Sequence, residues 1–430
     1  MRVKNLSLKN FKCFKEVNVD FAPITLLTGA NSSGKSSLIY SILAVLQTEQ
    51  FPFYLSLNGK YVNLGSFEEI IKNNISENFI ELSLTMIDEV AEKDIFCKTI
   101  WRKKDKGGSL IISDFEVRLP HWNVLVNKVK EKYILNLELY DSPSVPLFDF
   151  QKEKSYSELI RNANTNIEEN TLQIKDYEFE KIEDLILNLQ LAPWTLRDEL
   201  EYFIEILDRY FNYIGSFRQP PERTYYQKAK AQPKVDTDGA GYIDQIIEWE
   251  DTNPEKLDEL ARIMSELELF KEIKSNKFKG GRFEIAVKTQ ANSAMAALTD
   301  VGFGISQFLP IVVADLQLDN NSCLALSQPE THLHPKIQAL FGTFLANQIK
   351  KTNKQYIVET HSEYLLNRIR LLLVRGELKP QDVKVYFFEN DGMQTVTHLI
   401  ELSTDGQIKG APSSFFDTYA MDVMDIALNT

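Results

Sequence analysis

The sequence predicts an α/β fold: a mixed β-sheet organised by a glycine-rich loop, with an antiparallel β subdomain and a helical insertion. Three observations predict it. Ile24-Thr25-Leu26-Leu27-Thr28 is an apolar run of strand length, Gly29 to Ser37 is a glycine loop, and Ser37 to Leu46 has the composition of a buried helix. Residues 78 to 140 carry strand-like runs at Phe79–Leu84, Ile95–Ile100 and Tyr133–Leu139. Two later apolar runs, Ser322–Leu326 and Gln355–Val358, have the length of buried strands and end in polar segments.

Composition sets the bounds. The 430 residues are 43% hydrophobic, enough for two domains or for one with a large insertion. No apolar run reaches the roughly 20 residues of a membrane helix. The opening Met1-Arg2-Val3-Lys4-Asn5-Leu6 lacks the apolar centre of a signal peptide. Cys13, Cys97 and Cys323 are far apart and without metal-ligand spacing, as expected of reduced thiols in a cytoplasmic protein with no membrane partner. A net charge of −13 repels nucleic acid over the surface as a whole, so any DNA or RNA contact needs a local basic face or a partner.

The loop Gly29-Ala30-Asn31-Ser32-Ser33-Gly34-Lys35-Ser36-Ser37 fills every fixed position of G-x-x-x-x-G-K-[ST]. Glycines at its ends permit a bend that turns backbone N–H groups inward, and the following helix N-terminus adds partial positive charge. In this motif Lys35 reaches the β- and γ-phosphates of ATP and the Ser36 hydroxyl ligates Mg²⁺. Gly29, Asn31, Ser32, Ser33, Gly34, Lys35, Ser36 and Ser37 are therefore the candidate nucleotide-binding residues.

Ahead of the loop, Val3–Phe14 largely alternates apolar and polar residues and the pattern restarts at Val17, which predicts two antiparallel strands. With Asn10-Phe11-Lys12-Cys13-Phe14 and the glycine loop, this opening resembles the heads of the SMC-like, ABC-type AAA ATPases of bacteria. Leu64-Gly65-Ser66-Phe67 resembles a segment found at this place in the same group. The resemblance implies an ABC-ATPase head (a P-loop NTPase), in which the strands of residues 78–140 form the antiparallel subdomain of an N-terminal lobe, 1–140. Residues 141–211 read as a compact helical insertion, with helical spacing at Asp184–Leu189 and Glu199–Leu207 and no sustained heptads. Residues 212–380 read as the C-terminal lobe and 381–430 as a small C-terminal domain.

Tyr213-Ile214-Gly215-Ser216-Phe217-Arg218 returns the chain to the core, with Arg218 placed to touch either nucleotide or an acidic core residue. Residues 227–241 read as a mobile loop carrying Lys228, Lys230 and Lys234. Lys271, Lys274, Lys277, Lys279 and Arg282 form a second basic stretch, the best candidate nucleic-acid face, although Phe278 alone offers a stacking ring inside it.

The remaining motifs follow the order of an ABC head. Asp300–Pro310 opens a helix after glycines, where such heads keep the signature loop that contacts the nucleotide of the opposite subunit. Gly304, Ser306 and Gln307 are its counterparts here, a simple helix cap being the alternative. Ser327-Gln328-Pro329-Glu330-Thr331-His332-Leu333-His334-Pro335 resembles the Walker B and D-loop run. In the family an acid holds the Mg²⁺ water shell where Ser327 stands, and most members have Glu, as general base, where Gln328 stands. Gln can orient a water but takes no proton. Glu330 is the nearest replacement carboxylate. Thr360-His361-Ser362 resembles the switch segment, in which His361 reports the γ-phosphate; a buried structural histidine is the alternative.

Val383–Asn390 and Val396–Ile400 read as a strand pair across Asp391-Gly392, and with Pro412–Phe416 they resemble a small C-terminal domain of unknown function. The overcoming-lysogenization-defect nucleases carry a Toprim domain here, which Glu389-Asn390 and Asp391-Gly392 do not match. The resemblance thus implies a slow ATPase using ATP and Mg²⁺, with Lys35, Gln328, Glu330 and His361 as catalytic residues and Ser36 and Ser327 at the metal. It further implies an ATP-sandwiched homodimer or higher assembly that switches an effector such as a nuclease or toxin in antiphage defence. The other expectations are a DNA-repair ATPase that clamps DNA and a nucleotide-gated scaffold with negligible hydrolysis.

Overall fold

The computed structural model describes residues 2–49, 51–72, 78–88, 93–103, 110–140, 164–168, 171–190, 204–226, 231–415 and 428. They fall into two compact units that interleave along the chain. One comprises Met1–Asp20, Ser36–Arg209 and Asn390–Val396, the other Phe21–Lys35, Tyr210–Glu389 and Thr397–Thr430. The contiguous lobes expected from the sequence are therefore replaced by units whose boundaries cut at Asp20 and again at Lys35.

The first unit is built on a nine-stranded antiparallel sheet. Strands β1 (Arg2–Phe11) and β2 (Phe14–Asp20) form the expected opening hairpin, turned at Lys12 with φ 50°. The sheet continues through β4 (Phe79–Asp88), β5 (Lys93–Lys103), β6 (Leu110–Arg118), β7 (Trp122–Val129) and β8 (Lys132–Tyr140). Alternation explains it: Tyr133, Leu135, Leu137 and Leu139 are buried while Asn136 and Glu138 between them are not. The unit also holds most of helix α1 (Lys35–Leu46), together with the short α2 (Phe67–Ile70), whose Ser66 and Glu69 form a capping box.

The helical insertion requires correction. Residues 164–179 form β9 (Asn164–Glu168) and β10 (Thr171–Phe179), which add to the far edge of the sheet beside β8. Leu172 and Ile174 are buried at alternate positions, a period-2 signal too short to stand out among the surrounding polar residues. Helix appears where expected at α3 (Ile182–Gln190) and over residues 204–210, while residues 199–203 lie outside the described residues.

The second unit is organised by a seven-stranded sheet in the order β11-β16-β17-β3-β18-β19-β20. Strands β3 (Ile24–Gly29), β11 (Phe211–Ile214), β16 (Cys323–Ser327), β17 (Gln355–Glu359) and β18 (Val383–Asn390) run parallel. Every residue of β11, β16 and β17 is buried, as continuous apolar runs in a parallel sheet require. Strands β19 (Thr395–Leu402) and β20 (Ile408–Lys409) finish the edge, so the hairpin expected across Asp391-Gly392 is formed. Phe416 and Asp417 lie outside the described residues.

Helices α4 (Tyr242–Thr252), α5 (Pro254–Glu266), α6 (Phe303–Gln317), α7 (Pro335–Thr352) and α8 (Glu363–Val374) share one apolar core with this sheet. Ile243, Leu260, Phe308, Phe341 and Ile369 join Leu26, Leu324 and Val358 in it. A smaller antiparallel sheet pairs β14 (Arg282–Lys288) with β12 (Tyr225–Tyr226), β13 (Glu272–Lys277) and β15 (Ala296–Ala297).

One polar cluster lies inside this unit. Lys354 and Asp315 are 4% and 0% exposed in their side chains. The Lys354 ammonium donates to the Asp315 carbonyl oxygen at 2.5 Å and stands 3.5 Å from its carboxylate. The Tyr356 hydroxyl donates to Asp315 Oδ1 at 2.7 Å, and Asp315 Oδ2 is buried without a partner. Burial, and then the Asp315 charge, push the Tyr356 phenol well above its ordinary range.

Candidate nucleotide site

The carboxyl ends of β3, β16 and β17 lie side by side, the place where parallel α/β sheets bind ligands. Strand β3 passes there into the glycine loop. Gly29 has φ 134°, and a Cβ on it would sit 2.2 Å from the Phe388 carbonyl oxygen on β18, so no other residue fits. Ser32 and Gly34 also have positive φ, 59° and 100°. Left-handed positions so spaced turn successive amides toward a common centre, the geometry of an anion nest. Asn31 and Ser32 are exposed and Ser33 is buried. Ser36 and Ser37 open α1 and are counted with the other unit.

Lys35 is 3% exposed. Its ammonium donates to the carbonyl oxygens of Gly29 at 2.9 Å and Ala30 at 2.7 Å, and to Ser33 Oγ at 3.4 Å. Burial lowers its pKa, opposed by the charges of Glu359 and Glu330. The loop therefore places its cation under its own backbone, with two carboxylates of the neighbouring strand ends within electrostatic reach.

Ser327 and Glu359 are register partners at the last positions of β16 and β17. The Tyr213 hydroxyl donates to Ser327 Oγ at 3.1 Å, and Ser327 Oγ donates to Glu359 Oε2 at 2.7 Å. Just beyond, Gln328 takes φ 47° and its N–H donates to the Glu359 carbonyl oxygen at 2.7 Å. The Gln328 carbonyl accepts from Arg218 Nη2 at 3.1 Å. Arg218 is 6% exposed, and its Nε and Nη1 are buried without partners. Burial brings its pKa down to about 10, with Glu330 and Tyr213 opposing. Glu330 thus acts on Arg218 through its charge, while the guanidinium hydrogen bond goes to the Gln328 carbonyl.

Glu330 is already engaged. One carboxylate oxygen accepts from the His361 N–H at 2.7 Å, while Oε2 is buried without a hydrogen-bond partner. Burial raises the Glu330 pKa, against the backbone hydrogen bonds. The carboxylate thereby braces the segment that carries His361. Partial burial, then the Lys35 charge, lower the His361 pKa, so near neutral pH the ring is uncharged and can donate one hydrogen bond. The segment is fixed on both sides: the Thr360 N–H donates to the Leu27 carbonyl at 3.0 Å and Ser362 Oγ caps α8.

The signature-like loop differs from its expected form. Gly304 is required by packing, since a Cβ there would stand 2.7 Å from the His332 carbonyl oxygen. Ser306 and Gln307 are 1% and 4% exposed. Ser306 Oγ donates to the Phe303 carbonyl of its own helix at 2.9 Å, and Gln307 Nε2 reaches the Arg218 carbonyl at 3.4 Å. Both lie in the part of α6 that is buried without interruption, from Ile305 to Leu316. Asp300, Gly302 and Phe303 are the exposed members of that loop.

Other candidate residues have local roles. His334 Nδ1 accepts from the Lys336 N–H to cap α7, and His332 sets its ring edge-on to Phe303 at 4.9 Å. No cluster of three metal-ligating side chains occurs among the described residues. Lys234 is not on a free loop: it donates to the Phe211 carbonyl at 3.1 Å, next to the buried Val235, while Lys228 and Lys230 lie outside the described residues. In the basic stretch Lys277 pairs with Asp251 at 3.1 Å and Lys271 donates to Ser265 Oγ at 2.8 Å, which spends part of the charge within the fold. Among the described residues no helix is long and apolar enough to cross a membrane.

A family model described as AAA ATPase domain matches residues 1–366, and one for a protein of unknown function (DUF3696) matches residues 378–426. Together they agree with an AAA-type ATPase bearing a small C-terminal domain of unknown function. The DNA replication and repair protein RecF of Clostridium acetobutylicum is 35% identical over 99 residues, 22% of this chain and 24% of its own length. RecF of Chlamydia caviae is 30% identical over 115 residues, 26% of each chain. The match thus spans about a quarter of these relatives. Among solved structures, the SMC head domain from Thermotoga maritima aligns over 92% of this chain and 98% of its own, at 14% identity and TM-score 0.43. The Smc head bound to the C-terminal domain of ScpA, derived from Pyrococcus furiosus, aligns over 99% of both chains, at 13% identity and TM-score 0.46.

Proposed function

The chain belongs to the AAA ATPase domain family, and from that premise we propose that it is an ATP-gated switch that pairs with a second copy of itself and controls a separate effector. One observation carries the nucleotide part: the loop holding Lys35 opens where the ends of β16 and β17 place Ser327, Glu359 and the braced His361. Gly29, Asn31, Ser32, Ser33, Gly34 and Lys35 hold the phosphates of ATP, with Ser36 and Ser37 continuing the motif into α1. Mg²⁺ fits the hard oxygen donors of this site. When bound it neutralises phosphate charge, and the chain's own groups do the rest. Lys35 donates to phosphate oxygens, and neutral His361 donates a hydrogen bond in response to the γ-phosphate.

Turnover in this reading is slow. Gln328 stands at the place of the general base and orients a water without accepting its proton. One oxygen of Glu330 is committed to the His361 backbone. The cycle is then dominated by conformation: ATP favours the closed pair and its loss favours the open one. An effector such as a nuclease or toxin, acting in antiphage defence in the cytoplasm, is the role that the family resemblance supports. The similarity to DNA replication and repair proteins supports a second reading, a clamp closing on DNA.

Single-turnover hydrolysis of ATP tests the catalytic part. The unaltered chain retains ATP over many minutes, and Gln328→Glu speeds hydrolysis by about 10²-fold, the lower end of what a positioned general base contributes. Fast turnover in the unaltered chain that Gln328→Glu leaves unchanged would remove Gln328 from the catalytic position. Stimulation by duplex DNA, declining steeply with salt, would select the clamp.

A further inference from the structure

We propose that Glu359 is the metal-linked carboxylate of this site, a replacement from the adjacent strand for the acid that Ser327 lacks, and that Ser327 and Tyr213 are positioning residues for it. This rests on the reading of the glycine loop as an ATP site and adds a residue that the sequence motifs did not assign. The geometry is that of a one-strand transfer. Ser327 ends β16 where the acid is expected, and Glu359 is its register partner at the end of β17. The serine donates to Glu359 Oε2 at 2.7 Å, and Tyr213 donates to the serine at 3.1 Å. Two hydroxyls in series fix one carboxylate oxygen, as partners behind a metal-linked carboxylate commonly do.

The position is selective. Glu359 is 4% exposed, an unusual place for a carboxylate in a strand whose other residues pack in the core. Its neighbour on the other side is Leu27 of β3, two residues before Gly29. Lys35 and His361, the two residues assigned to the phosphates, feel its charge. A carboxylate serving only to balance Lys35 would need no hydroxyl relay on its far side. The donor chemistry suits Mg²⁺, which takes one or two carboxylates, waters and phosphate oxygens. Glu330 has one carboxylate oxygen committed to the His361 backbone.

The test is affinity rather than turnover. A fluorescent ATP analogue is titrated into the full chain in EDTA and in Mg²⁺, and binding of Mn²⁺ in the presence of ATP is followed by paramagnetic resonance. In the unaltered chain Mg²⁺ tightens binding about tenfold or more. Glu359→Gln loses about 10- to 100-fold in metal affinity, the range seen when a metal's supporting groups are removed. Its metal-free nucleotide affinity stays equal or becomes tighter, because a negative charge beside the phosphates has gone. Ser327→Ala keeps the carboxylate and raises the Mn²⁺ midpoint by a smaller factor. The exchanged pair Ser327→Asp/Glu359→Gln regains the metal effect, which a merely structural Glu359 would not allow. Should Glu359→Gln fail to fold, Glu359→Asp replaces it, with weakened Mn²⁺ binding expected. Undiminished metal enhancement in Glu359→Gln, or in Glu359→Asp if that variant stands in for it, overturns the proposal and leaves the ATP site intact. Lys35→Ala binding nucleotide as tightly as the unaltered chain instead overturns the ATP-site reading beneath it.

Discussion

Lys35→Ala loses ATP affinity by about 100-fold or more in equilibrium titration. The Lys35 ammonium is 3% exposed and held by the Gly29 and Ala30 carbonyls, so it is already positioned inside the loop before a phosphate arrives. Hydrogen bonds to charged groups contribute about 1.5–3 kcal/mol each, and removing two of them to phosphate oxygens accounts for the loss. The same change deprives Glu359 and Glu330 of a neighbouring cation, which adds repulsion toward an anionic ligand. Folding tolerates the change better than binding does, since the loop carbonyls that lose the ammonium lie next to exposed Asn31 and Ser32, where water can replace it. An affinity within threefold of the unaltered chain would remove the loop from the nucleotide site.

Lys354→Met produces the largest loss of stability, about 3–5 kcal/mol in urea unfolding, with an unchanged slope against denaturant. The reason is the Asp315 left behind. With its side chain 0% exposed and Oδ2 lacking a partner, it depends on Lys354 and on the Tyr356 hydroxyl for compensation. Breaking a buried pair costs more than never having it. The double change Lys354→Met/Asp315→Leu therefore recovers most of the loss. A cost for Lys354→Met below about 1 kcal/mol, the level of an exposed ion pair, would show that water reaches the cluster.

The strands of the parallel sheet were legible because such strands, buried on both faces, read as unbroken apolar runs: Ile24–Thr28, Ser322–Leu326 and Gln355–Val358 each sit within a residue or two of β3, β16 and β17. The opening hairpin and the pair β18 and β19 were equally plain, since alternation and the Asp391-Gly392 turn mark them. Strands β9 and β10 were not. β9 is short, and β10 loses its alternation at the polar Lys175-Asp176 and is separated in sequence from its neighbour β8, so their identity depends on an edge that only the folded sheet provides.

The site shows the same division. A motif with fixed spacing, such as the glycine loop, is written along the chain. The partnership of Ser327 with Glu359 spans 32 residues and is created by strand register, to which spacing is blind. Glu359 stood in plain view ahead of Thr360-His361-Ser362. The missing acid at Ser327 was the signal to look for a carboxylate on an adjacent strand. The burial of Ser306 and Gln307 was hidden for a related reason: position in the motif order fixed where the loop falls, whereas the face it shows depends on the packing that buries α6 from Ile305 to Leu316.

The central claim is that nucleotide, rather than its hydrolysis, governs pairing of the chain. The most direct measurement is mass by light scattering, with the unaltered chain and Lys35→Ala compared without nucleotide, with ATP and Mg²⁺, and with ADP and Mg²⁺. The account predicts a doubled mass, or a larger even multiple, for the unaltered chain with ATP, and no change with ADP or in Lys35→Ala. A mass independent of nucleotide in both proteins would contradict the switch.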